Sequence, residues 1–107
     1  MIDTIEEYVM LVAYPTPPAQ QWPAVDIFGG EVIFAVDGTF EGYERGQWWE
    51  SVVLDSGAAG VPAALDDIDT ELTRRGYTRT SRWHGPKLTR RGERYIAGAL
   101  ARIEAVK

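Results

Sequence analysis

Three glycine-bearing breaks, Gly29-Gly30, Asp37-Gly38 and Arg45-Gly46, divide residues 24–55 into short runs of β-branched and aromatic residues. Glycine takes backbone conformations that other residues avoid, and branched or aromatic side chains suit a pleated surface. This punctuation therefore constrains the stretch to a meander of antiparallel strands, expected over residues 24–28, 31–36, 39–44 and 47–55. Asp37-Gly38 reads as a two-residue type I′ hairpin turn.

Upstream, residues 8–14 form a continuous apolar run that suits a buried strand. Thr4 and Glu7 have capping-box spacing, and Ile5, Tyr8, Val9 and Val12 recur at helical intervals, so a helix competes there. We read the run as a strand. Pro15, Pro17 and Pro18 impose an extended loop after it.

Downstream of a Gly-rich link at 56–60, the pattern predicts a helix over 62–75. Pro62 sits near its first position, Val61, Leu65, Ile68 and Leu72 share one face, Arg74 and Arg75 lie in its last turn, and Gly76 follows as a cap. Residues 77–83 read as a strand and His84-Gly85-Pro86 as a turn. A second helix is expected over 89–104, with a stripe of Tyr95, Ile96, Ala99, Leu100, Ile103 and Val106. The expected fold is a single α+β domain over residues 1–107: a small antiparallel β-meander sheet with two helices packed mainly on one face.

A chain of 107 residues can bury a core without staples, and 12 aromatics support one. It contains no Cys, which excludes disulfides, thiolate metal sites and Cys nucleophiles and fits a reducing cytoplasm. The first residues are acidic where a signal peptide is basic, and the apolar run is too short for a membrane span. A cytoplasmic location without membrane contact is expected. The excess of Arg over Lys, nine to two, suggests a GC-rich bacterial or phage genome.

The net charge of −5 hides a division. Residues 1–69 carry thirteen acids and one base (net −12), and residues 70–107 carry ten bases and three acids (net +7). Such asymmetry points to charged partners, or to halves that attract each other within the fold. The pentapeptide Leu-Thr-Arg-Arg-Gly occurs at 72–76 and again at 88–92. In the first copy the arginines close a helix and favour its negative end. In the second, Lys87, Arg90, Arg91 and Arg94 crowd the start of the expected last helix, where the helix dipole disfavours each base by about 0.3–1 kcal/mol. Helix stability does not explain them. With Arg79 and Arg82 they make a candidate anion-binding patch.

The run Leu88-Thr89-Arg90-Arg91-Gly92-Glu93-Arg94-Tyr95-Ile96 resembles the Leu-Thr-x-x-Gly-x-x-Tyr-Leu segment that opens the last helix of bacterial winged-helix regulators. Leu72-Thr73-Arg74-Arg75-Gly76-Tyr77 is similar to the phrase that ends their recognition helix. The resemblance covers roughly the last third of the chain. It implies a wing over residues 77–86, with Arg79, Arg82 and Lys87 on DNA phosphates. Against it, a strand and a Gly-rich link stand where a helix-turn-helix needs another helix. Asp66, Asp67, Asp69 and Glu71 on the implied recognition helix would repel phosphate.

Trp48 and Trp49 are adjacent on an expected strand and should point to opposite faces, so a sheet covered on one side exposes one of them. With Glu41, Glu44 and Glu50 they form a candidate partner-binding surface on an acidic meander that also carries Asp26, Glu31, Asp37 and Asp55. Catalytic candidates are poor: His84 is the only histidine, Asp66/Asp69 and Asp67/Glu71 have ordinary helix-neighbour spacing, and residues 57–60 lack the Lys of a phosphate loop. No catalytic residue, metal site or cofactor is expected. The leading expectation is a small non-catalytic protein-binding regulatory or modulator protein of bacterial or phage origin, with self-association through its opposed charges compatible. The alternative is a winged-helix-like DNA-binding regulator. A small virion or assembly component is the third reading.

Overall fold

The computed structural model describes residues 2–55 and 57–106, with side chains for 6–55 and 57–102. Ser56 of the expected link, and the side chains of Thr4, Ile5, Ile103 and Val106, lie outside the described residues. The elements are β1 (Ile2–Tyr14), β2 (Ala24–Phe34), β3 (Phe40–Val53), α1 (Leu65–Arg74), β4 (Tyr77–Arg79), β5 (His84–Thr89) and β6 (Gly92–Val106). They form one six-stranded antiparallel sheet in the order β3-β2-β1-β6-β4, with β5 also pairing β6. The protein is predominantly β with a single helix among the described residues, which corrects the expected two-helix α+β architecture.

The largest correction falls on residues 89–104. They are the end of β5, a tight turn and the long strand β6, which pairs with β1 at twelve registered positions from Ile2↔Val106 to Ala13↔Tyr95. The last helix implied by the winged-helix resemblance is therefore a hairpin in this chain. Residues 9–13 of β1 and 96–99 of β6 are buried on both sides, so neither stretch shows the alternation that marks a half-exposed strand. Val9, Leu11, Ala13, Ala99 and Ala101 are buried on the face that α1 covers, with Val25, Ile27, Val52, Ile68, Leu72 and Tyr77. Met10, Val12 and Ile96 are buried on the opposite face, under Tyr14, Phe28 and Val32.

Residues 8–14 are indeed strand, within the longer β1. The meander is two long strands rather than four short ones, because neither Gly29-Gly30 nor Arg45-Gly46 turns the chain. Both lie at register shifts within the β2–β3 pair. β3 has 14 residues against 11 in β2, and the surplus is taken up at three shifts, each giving β3 one extra residue. Such bulges bend and twist a strand pair. Here they carry the hairpin over the helix-free face until Phe40 stacks on His84 of β5, with ring centroids 3.8 Å apart. The sheet is thus rolled toward an open barrel whose edges meet at that stack.

The hairpin turn centres on Val36-Asp37, not Asp37-Gly38. The Gly38 N–H donates to Ala35 O (2.9 Å), and Gly38 follows with φ +88°. Positive φ at both central residues, which a type I′ turn needs, is absent. The helix begins at Leu65 rather than Pro62 because residues 61–64 are held outside helical geometry, with Ala64 extended and the Ala63 N–H donating to Pro15 O (2.9 Å). Its C-terminal end matches expectation: Gly76 takes φ +93° just after Arg75, and its N–H donates to Thr73 O.

Candidate functional site

The expected basic patch is dispersed by the fold. Arg79 donates from Nε and Nη2 to both carboxylate oxygens of Asp69 (3.0 and 2.9 Å), and Trp83 Nε1 donates to the same carboxylate (3.2 Å). Arg91, in the β5–β6 turn, crosses the helix-free face to Asp26 on β2 (2.9 Å) and lies over the Tyr14 ring at 3.8 Å. Asp26 also accepts from Ser51 Oγ (2.6 Å), which in turn accepts from Trp48 Nε1 (3.3 Å). Arg79 and Arg91 are therefore engaged within the chain. Arg82, Lys87, Arg90 and Arg94 have no ion pair among the described residues. Arg90 and Arg91 sit in a hairpin turn, so the helix-dipole argument that singled them out does not apply.

Of the four, only Lys87 and Arg94 are brought together. They are cross-strand partners on β5 and β6, at the seam where Phe40 meets His84. A cleft of about 460 Å³ opens there, and Phe40, Tyr43, Pro86 and Ile96 supply its apolar lining. Arg94 Nε is buried without a hydrogen-bond partner.

The expected partner surface splits in two. Trp49 is the extra residue of the first bulge and packs against the helix-side core. Glu50 accepts a hydrogen bond from the Tyr77 hydroxyl (2.5 Å) and lies 3.8 Å from Arg75. Burial, then the adjacent Glu50 carboxylate, hold the Tyr77 phenol far above the ordinary tyrosine range. Trp49 and Glu50 thus serve the fold. Trp48, at 56% exposure, and the exposed Glu41 and Glu44 stay on the outer strand β3. Glu44 stands directly opposite the exposed Glu31, one of the acids expected on the meander. Their register depends on the shift between Ile33 and Phe34, which carries no local signal. Asp26, the hub of the opposite face, had no local signal, because Arg91 lies 65 residues away.

The helix acids are partly engaged. Asp69 holds Arg79, and Glu71 accepts from Arg74 (2.7 Å) and Arg75 (3.0 Å), which lowers its pKa. Among the described residues no group of three His, Asp or Glu side chains is placed to hold a metal ion. No helix is long and apolar enough to cross a membrane among those residues. Comparison with protein-family models, with curated proteins and with solved structures gives no match.

Proposed function

We propose that this chain is a small non-catalytic protein-binding module that engages the basic surface of a partner through strand β3 and the outer half of the β2–β3 hairpin. The observation that carries this reading is the Glu31–Glu44 cross-strand pair between β2 and the edge strand β3. Like charges directly opposite each other destabilise a strand pair, so folding gives no reason for this arrangement, whereas a cationic partner would offset it. Glu41 adds charge on β3, and the exposed Ile33, two residues along β2 from Glu31, and Val36 at the hairpin turn supply apolar anchors. The bulges in β3 and its charges discourage addition of a foreign strand, so contact is made by side chains rather than by sheet extension.

The DNA-binding alternative has less behind it. Its implied last helix is a hairpin, and Arg79 and Arg91 are held by the chain's own acids. The test is affinity capture from a bacterial lysate, with and without nuclease, using the wild type beside Glu31→Lys with Glu44→Lys. The expected result is a partner retained after nuclease treatment and lost from the double variant, whose melting temperature is unchanged or raised. Retention that disappears with nuclease and survives in the double variant would overturn the proposal in favour of nucleic acid.

A further inference from the structure

We propose that the seam between β3 and the β5–β6 hairpin is a binding site for an organic carboxylate bearing a flat apolar group. The site is separate from the outer hairpin surface, so its failure leaves the protein-binding reading as it stands. Three observations converge. Lys87 and Arg94 are direct cross-strand partners, so two positive charges face one another where like charges cost stability. No acid lines the cleft among the described residues, although other arginines of this chain, Arg79 and Arg91 among them, find carboxylates. Arg94 Nε is buried and unpartnered, a state that destabilises a donor. A carboxylate between Lys87 and Arg94 would answer all three.

The rest of the cleft selects what the carboxylate is attached to. Phe40 and His84 form a flat stacked pair, 14° from parallel, at one wall, and Tyr43 and Ile96 add apolar surface. A volume of about 460 Å³ suits one aromatic side chain with its attached acid group. A small inorganic anion would meet the charges but leave the apolar walls wet. The shared chemistry is an aryl-bearing carboxylate, supplied either as a free acid or as the last residue of a peptide chain.

The experiment titrates the full chain with N-acetyl-phenylalanine, N-acetyl-phenylalanine amide and acetate, followed by amide-resolved NMR. Saturable shifts confined to residues around Tyr43, His84 and Arg94 are expected with the acid, and binding about 10-fold or more weaker with the amide and with acetate. Arg94→Gln should lose about 10-fold in affinity for the acid. Lys87→Gln, at an exposed position, provides a second variant with the same direction of effect if Arg94→Gln melts early. Equal binding of acid and amide, full affinity in Lys87→Gln, or absence of saturable binding would each overturn the proposal. A hexapeptide ending in Phe identifies the source. Tighter binding than the free acid assigns a chain terminus, weaker binding assigns a free acid, and either supports the site.

Discussion

Tyr77 shows how a residue read as part of a strand face becomes a polar clasp. Its ring is buried against the helix-side core while its hydroxyl reaches Glu50, 27 residues earlier on the outer strand. The neutral phenol donates to the carboxylate, and both burial and that charge disfavour the phenolate. Because the folded-state pKa is raised, the contribution is fully present below the ordinary tyrosine value of about 10 and is lost as pH rises from there. Tyr77→Phe should cost about 1 kcal/mol at neutral pH. It should also shrink the fall in stability between about pH 9 and 11, which urea midpoints measured across that window would show. Tyr95, also raised by burial first and then by Glu93, keeps part of the fall. An identical alkaline slope in the two proteins would remove Tyr77 as the titrating group. Arg91 is a second such residue. A hairpin turn holds it where it covers the Tyr14 ring and meets Asp26, so a base first read as available to a partner closes the helix-free face instead.

The β2–β3 hairpin is the element on which both proposed surfaces depend, since its curl sets Glu31 beside Glu44 and Phe40 against His84. That curl needs Gly30. It has φ +131°, and an added Cβ there would collide with the carbonyl oxygen of Glu44. Gly30→Ala should therefore destabilise the protein by about 2–4 kcal/mol and lower the melting temperature by roughly 10 °C, measurable by circular dichroism. A change under roughly 2 °C would show that the hairpin takes its bend without this position. The helix is the element most readable from the sequence. Ile68 and Leu72 are buried as its period requires, Arg74 lies in its last turn, and Gly76 follows. Only its start moved, because the proline-rich loop after β1 holds residues 61–64 away from helical geometry.

At the scale of the whole molecule, the charge division of the sequence is partly folded in on itself. Among the described residues, four of the six ion pairs join residues 1–69 to residues 70–107: Arg91–Asp26, Arg75–Glu50, Arg79–Asp69 and Arg102–Glu6. The topology makes this natural, because β6 lies beside β1 and carries the basic end of the chain against the acidic beginning. Head-to-tail association through opposed halves is correspondingly weakened. Size-exclusion chromatography should give one elution volume from ~50 mM to ~500 mM salt, over which the Debye length falls from roughly 14 Å to 4 Å. Oligomers at low salt that dissolve at high salt would show instead that the acidic hairpin of one copy meets the basic seam of another.

The sequence by itself determined the strand character of residues 8–14 and of most of 24–34 and 40–53, a turn near Asp37-Gly38 and the burial of Ile68 and Leu72 on one face of the helix. Each follows from neighbours a few residues apart, where turn chemistry and side-chain period act directly. Trp48 and Trp49 take different surroundings, as neighbours on a strand do, but which of them stays exposed was decided by packing. Residues 92–106 were beyond such reasoning. Their alanines favour a helix, and their apolar positions fit a helical period as readily as a strand buried on both faces. Pairing with β1, nearly the full length of the chain away, decided the matter. That same pairing placed the second Leu-Thr-Arg-Arg-Gly in a hairpin, joined Arg91 to Asp26 and set Lys87 against Arg94. Local propensity differs between helix and strand by a fraction of a kcal/mol per residue, whereas a central strand gains a ladder of hydrogen bonds and two buried faces.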